Sequence, residues 1–312
     1  MAASLPAQLA PMLCRIGKPF DADDHLFEVK WDGVRALAFV DGAGDGTADG
    51  DAGWRLHSRH RPDLRSRYPE LAGLRALPAG TLLDGELVVL DASGKPDFPA
   101  VLGRENARRP ERVRQLAQQR PVVYVAFDLL YDRFDPLLER PLQERRDRLQ
   151  QLLGQGPPER VVLSEGVVGT GLLLFEQVRQ QGLEGVVAKQ LGSRYRPGER
   201  SHAWQKIKAV HTVPCAVLGY EPDGERDFKS LIVAAEFDGR LQCVGRVGSG
   251  FTLAQKAAVW SLLQARRRET AWLPAGMSGC WVEPGLYCSV SYLERMASGS
   301  LRAPVFAGMI EA

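Results

Sequence analysis

The 312-residue sequence predicts an α+β protein: antiparallel sheets mixed with helices over residues 1–209, then a small Greek-key β-barrel over 210–312. Three observations carry this expectation. Short apolar runs alternate with helical stretches in the first part, without the regular strand–helix–strand rhythm of a parallel sheet. Near 209–213 the texture changes to short strands punctuated by Asp-Gly turns. An apolar fraction of 45% is ample for two separate cores.

In chain order, residues 26–40 predict two strands flanking the turn "WDGV". "DGAGDGTADGDAG" (41–53) has no periodicity and reads as a hairpin tip; it lacks the ligand spacing and closing Glu of a calcium loop. Strands follow in "TLLDGELVVLD" (81–91), "PVVYVAFDLLY" (121–131) and "EGVVAKQ" (184–190), with helices near 104–119, 141–153 and 171–181. "CAVLGYEPDG", "SLIVAAEFDGRLQCVGRVGSG" and "GLYCSVSYLE", interrupted by one helix (252–268), suit a barrel of the OB type.

Composition narrows the setting. A net charge of +2 is too small to declare a nucleic-acid binder, although 59–67 and 103–120 are locally basic. Five scattered cysteines without a CxxC pair argue against a disulfide framework or zinc cluster and for a reducing compartment. The first residues lack a basic leader followed by an apolar run, and no stretch approaches the roughly 18 apolar residues of a membrane span. A cytoplasmic monomer with no membrane association is expected.

Lysine usage points to chemistry. Of the 40 basic residues only eight are lysine, and Lys30, Lys189, Lys206 and Lys208 all fall in strand segments. Where plain positive charge is wanted, this chain uses arginine. Side chains two apart on a strand share a face, so Glu28 pairs with Lys30, Asp84 with Glu86 and Lys206 with Lys208, while Glu184 opens "EGVVAK". Any one such pair suits an exposed face. Four such segments on otherwise apolar strands suit a site, because buried charges need partners.

An ε-amine can lose its proton and attack an electrophile; a guanidinium cannot. With a reference pKa near 10.4, only about one lysine in a thousand is neutral at pH 7.4, and lowering that pKa by about three units corresponds to roughly 4 kcal/mol. Lys206, Lys208, Arg35 and a metal ion held by Asp32, Glu86 or Glu184 could supply it. The same cations would stabilise a phosphate as its charge grows, so a phosphate electrophile fits Lys30. No P-loop, GxSxG or HExxH competes.

These segments together resemble the ATP-dependent DNA ligases of the covalent nucleotidyltransferase superfamily, in particular compact bacterial ligases and the ligase module of bacterial end-joining enzymes. "KWDGVR" (30–35), "SRH" (58–60), "LDGEL" (83–87), "FDLLY" (127–131), "EGVVAK" (184–189) and "ERSHAWQKIK" (199–208) look like its successive motifs; "GRVGSGF" (245–251) and "LRAPVF" (301–306) look like its OB domain. The resemblance implies an adenylyltransferase domain with ATP-grasp-like antiparallel sheets. It implies that Lys30 attacks the α-phosphate of ATP, that AMP passes to the 5′-phosphate of nicked or broken double-stranded DNA, and that the 3′-hydroxyl then displaces it.

By the same resemblance Glu28 would read the adenine amino group and Phe127 would stack on the base. Arg35 and Glu86 would hold the ribose. Arg200, Lys206 and Lys208 would meet phosphate, and Arg59 the 5′-phosphate of the nick. Glu184, with Asp32 or Glu86, would bind Mg²⁺ or Mn²⁺. Relatives carry an arginine near Ile310 that helps orient pyrophosphate, so either Arg302 would take its place or the first step from ATP would be slow. The 29 residues before Lys30 leave no space for a large N-terminal DNA-binding domain, so the two domains alone would grip DNA or a DNA-end-binding repair protein would bring the chain there. Trp31 and Trp204 read as packing residues, His57, His60 and His202 as surface or hydrogen-bonded ones, and Lys189 as a site residue rather than a structural ion pair. The alternatives weighed are an RNA-sealing or RNA-capping nucleotidyltransferase and an inactive DNA-end-binding homologue.

Overall fold

The computed structural model describes residues 4–42, 53–58, 64–154 and 156–310. Most of the expected hairpin tip at 41–53, and Arg59, His60 and Arg61, lie outside the described residues. The chain divides into two compact units, Met1–Lys208 and Ala209–Ala312.

The first unit is built on two sheets. One has the spatial order β1 (Leu13–Ile16), β11 (Arg200–Lys208), β10 (Gly185–Gln190), β2 (Ala22–Val29), β9 (Gly166–Gly169). The other runs β4 (Trp54–Ser58), β3 (Val34–Val40), β5 (Thr81–Val89), β6 (Val122–Asp132), β7 (Asp135–Pro136), with β8 (Val161–Leu163) beside β6. Pairing is antiparallel except for β1–β11 and β6–β8. The turn carrying Lys30 therefore joins β2 of one sheet to β3 of the other.

The two-residue period of β3 and β5 separates two cores. Ala36, Ala38, Val40, Leu83 and Leu87 face one core, with Tyr68, Leu71, Val101 and Leu149. Leu37, Phe39 and Leu82 face another, with Met12, Tyr195 and Trp204. The register sets Arg35 opposite Glu86 and Leu37 opposite Asp84. Those three polar residues thus extend the second face, which Trp204 of the other sheet covers. Their shared face follows from spacing alone.

Helices α1 (Phe98–Asn106), α2 (Pro110–Gln119), α3 (Leu142–Gly154) and α4 (Gly171–Gln180) complete the unit. The single helix expected near 104–119 is two. Pro110 disfavours the helical region for the residue before it, and Arg109 is extended at φ −78°, ψ 129°. The 3₁₀ turns at Arg65–Arg67 and Pro69–Ala76 and the short strands β1, β8 and β9 had no counterpart in the sequence reading.

Among the described residues the second unit holds seven strands. β12 (His211–Pro222) pairs β13 (Phe228–Phe237), which pairs β14 (Arg240–Val247). The other edge of β12 meets β17 (Tyr287–Tyr292) and then β16 (Cys280–Val282), which carries β15 (Arg267–Arg268). β18 (Val305–Ile310) lies on β17. Hydrogen bonds from Leu301 N to Val244 O (2.9 Å) and from Phe306 N to Ser249 O (2.8 Å) draw the two ends together. Helix α5 (Leu253–Ala265) starts in a capping box of Thr252 and Gln255.

Candidate active site

Lys30 sits where β2 ends. Its backbone N–H donates to Gly185 O at 2.8 Å, and its Nζ donates to Glu184 Oε2. Glu184 is nearly enclosed and its other oxygen lies 3.5 Å from Lys208 Nζ. The glycine after Glu184 is required: Gly185 has φ 148°, and a Cβ there would meet Ile207 O at 2.1 Å. The close approach of β10 to β11 brings Glu184, Lys208 and Lys30 together.

Around Lys30 opens a cleft. Leu13, Cys14, Glu28, Val187, Lys189, Trp204 and Lys206 form one wall, from the first sheet, and Arg35, Glu86 and Phe127 the other; Trp31, Ser164 and Arg200 complete the lining. Of the residues anticipated from the sequence, Glu28, Lys30, Arg35, Glu86, Phe127, Arg200 and Lys206 line this one cleft. Glu184 and Lys208 reach it through Lys30. Trp204 is buried, as a packing residue should be, but Trp31 is half-buried and donates to Ser164 Oγ at 3.2 Å.

Glu28 is buried between two cations, ion-paired with Lys189 and 3.1 Å from Arg146 Nη1. It is Oε1 that faces Arg146, shielded from solvent and held by this charge contact rather than by a well-directed hydrogen bond among the described residues. Lys189 Nζ also lies 4.2 Å from the Phe127 ring centroid and 4.6 Å from that of Trp204. Lys189 is therefore both a buried ion-pair partner and a lining residue.

Arg35 is tightly held. Its Nε and Nη2 donate to the two oxygens of Asp84 at 2.9 and 2.5 Å, and Nη1 donates to Met12 O at 2.5 Å. That pairing keeps the guanidinium protonated well above its ordinary range, against the cost of burial. Arg200 is anchored too, donating to Cys14 O at 2.6 Å.

Burial pushes the Glu86 carboxyl up to about 8, a shift that Lys30 and Arg35 oppose and Asp84 and Glu184 reinforce. The sign follows directly. The folded protein without nucleotide holds a proton there that the unfolded chain releases near pH 4.5. That stabilisation is complete below the unfolded value and is lost as pH rises toward about 8. Urea unfolding of nucleotide-free protein is expected to show stability falling between pH 5 and 8 and Glu86→Gln flattening the decline; an unchanged slope in the variant would contradict this.

Among the described residues no three His, Cys, Asp or Glu side chains converge as a metal cage. Asp32, Glu86 and Glu184 are thus not assembled as one three-carboxylate site. Glu86 and Glu184 nevertheless feel each other's charge, and one or two carboxylates beside a polyphosphate suit a hard cation such as Mg²⁺. Arg302 belongs to the second unit, paired with Glu294 at 2.7 Å, and Arg59 lies outside the described residues. The sequence reading missed Arg146 and Ser164. Arg146, in "PLQERRDRLQ", carries the signature of a solvated helix face, yet it donates to Phe127 O (3.2 Å) and Ser164 O (2.6 Å) beneath the cleft.

Comparison with known proteins agrees with this arrangement. A family model described as the ATP dependent DNA ligase domain matches residues 7–208, and one for the ATP dependent DNA ligase C terminal region matches 224–311. The chain is 32% identical over 98% of its length to the multifunctional non-homologous end joining protein LigD of Pseudomonas aeruginosa, spanning 36% of that protein. It is 29% identical to the SPbeta prophage-derived DNA ligase-like protein LigB of Bacillus subtilis, covering 96% of this chain and 97% of that one. Among solved structures, mycobacterial DNA ligase D complexed with ATP and MES is 32% identical, with a TM-score of 0.57 over 97% of this chain and 95% of that one. A Lig E DNA ligase, at 17% identity and TM-score 0.63 over 96% of this chain and 99% of that one, shares the fold. The two matched regions and the lysine-centred cleft lead to one conclusion: this chain belongs to the ATP-dependent DNA ligase family.

Proposed function

We propose that the protein seals 5′-phosphate/3′-hydroxyl breaks in duplex DNA, using ATP, through a lysyl-AMP on Lys30 and a DNA-adenylate. The observation that carries this reading is the placement of Lys30 Nζ against Glu184 beside a cleft whose walls offer an aromatic ring, a buried carboxylate and cations. Glu28 takes the adenine amino group and Phe127 lies against the base. Arg35 and Glu86 meet the ribose. Lys206 and Arg200 receive the phosphates, with Lys208 beside Glu184.

Before attack, the Lys30 proton passes toward Glu184 Oε2, the group that it already touches. The neutral amine then forms the N–P bond as pyrophosphate leaves the α-phosphorus. Growing charge on the phosphate oxygens is met by Lys206. A Mg²⁺ or Mn²⁺ ion held by Glu184, with Glu86 or Asp32, would screen the triphosphate. The DNA 5′-phosphate oxygen next displaces Lys30 from the AMP, and the 3′-hydroxyl finally displaces AMP.

Repair through end joining, with a DNA-end-binding protein as partner and a cytoplasmic, nucleoid-associated setting, is part of this proposal. It draws on LigD proteins, about a third of whose length the chain spans. The test is a single turnover. Protein adenylylated with ATP and freed of nucleotide is added to a duplex carrying a 5′-phosphorylated nick. A sealed strand with one AMP released per turnover is expected. Sealing only when the nicked strands are RNA would move the RNA-joining reading ahead, and binding without sealing the inactive homologue.

A further inference from the structure

Tyr195 lies outside the cleft, yet its hydroxyl touches only groups that hold the cleft's walls. The side chain is fully buried, edge-on to Trp204 at 5.8 Å between centroids. Its hydroxyl donates to Asp84 Oδ2 at 2.7 Å, accepts from Met12 N at 3.0 Å, and lies 3.5 Å from Arg35 Nη2. Arg35 in turn donates to both oxygens of Asp84 and to Met12 O. The bonds close a ring from Met12 O through Arg35, Asp84 and Tyr195 back to Met12 N.

That ring crosses the seam between the two sheets of the first unit. Arg35 and Asp84 stand on β3 and β5 of the six-stranded sheet, whereas Met12 leads directly into β1 of the five-stranded one. The next two residues, Leu13 and Cys14, line the cleft wall opposite Arg35. A hydroxyl has one donor and two acceptor positions, and all are engaged here. The apolar cluster around Tyr195 would accept a phenylalanine equally well; the oxygen serves the ring of hydrogen bonds.

We infer that Tyr195 is a positioning residue for nucleotide recognition: through Asp84 and Met12 it sets the Arg35 guanidinium and the spacing of the two sheets across the cleft. This inference rests on the reading of Arg35 as a ribose contact, so it concerns discrimination between ATP and 2′-deoxyATP. Chemistry at Lys30 is not moved, because Lys30 is held by Gly185 and Glu184 instead.

The test is Tyr195→Phe in the full chain, with initial rates of lysyl-AMP formation measured against ATP and 2′-deoxyATP. KM for ATP is expected to rise about tenfold, the scale of one lost hydrogen bond between buried groups. The maximal rate should stay within about twofold, and the preference for ATP over 2′-deoxyATP should fall. Asp84→Asn, which loosens the same ring at its other end, is expected to give the same signature. Leu142→Ala, in the same apolar cluster, is expected to lower the melting temperature while leaving KM and sugar preference unchanged. If Tyr195→Phe only melts earlier, as Leu142→Ala does, the inference is overturned while the ligase reading stands. A wild-type protein that takes up no AMP overturns both.

Discussion

Lys30→Ala protein is expected to form no lysyl-AMP, with a rate at least about four orders of magnitude below wild type, the scale on which removing a covalent nucleophile acts. Lys30→Arg should fail equally, because a guanidinium at that place cannot become neutral. Folding should survive the change. Glu184 keeps Lys208 at 3.5 Å as a counter-charge, and the contact that anchors residue 30 to Gly185 is a backbone one. The variant should therefore melt within a few degrees of wild type and still bind nicked DNA, with an affinity that falls as salt rises. Given DNA that already carries the 5′-adenylate, it should seal the nick, since that step needs no lysine nucleophile. Labelling retained in Lys30→Ala would place the nucleophile elsewhere.

The largest loss of stability is expected from Asp128→Ala. Asp128 and Arg145 are both fully buried and joined by two parallel hydrogen bonds of 2.8 Å. Arg145 Nη1 donates to Arg140 O (2.7 Å) and Ser193 O (3.0 Å). Removing the carboxylate leaves an enclosed guanidinium without a counter-charge, which costs about 3–5 kcal/mol. A domain stable by about 5–15 kcal/mol cannot lose that unnoticed. Replacing both partners should be much milder: Asp128→Ala with Arg145→Leu is expected to recover most of the loss, since no charge is then left unpaired. Urea midpoints of the two variants measure this. A loss below about 1 kcal/mol for the single change would show that water reaches Arg145.

Much of the site was legible because its residues obey short-range rules. Glu28 and Lys30, Asp84 and Glu86, and Lys206 and Lys208 are each two apart in strand segments, and the period of two alone puts each pair on one face. The scarcity of lysine then marked Lys30 and Lys206 as chemical rather than solvating. The two halves separated on texture, since strands and helices mix up to about residue 209, whereas beyond it short strands follow one another with one helix between them.

What stayed hidden depends on long-range packing. Tyr195 and Met12 lie 183 residues apart, and Tyr195 and Asp84 111 apart; no spacing rule reaches across such gaps. Arg146 was hidden because a helix rich in Arg and Gln reads as a wet surface, whereas here it sits beneath Glu28. The break between α1 and α2 is different: Pro110 announces it, and weighing that residue above the run of helix formers around it would have found it.

Incubation of the pure protein with α-labelled ATP and Mg²⁺ or Mn²⁺, without DNA, followed by a denaturing gel and mass mapping of the labelled peptide, tests the central claim most directly. The account predicts one AMP per chain, on the peptide containing Lys30, discharged by added pyrophosphate. Label on any other residue, or none with either metal, would contradict it.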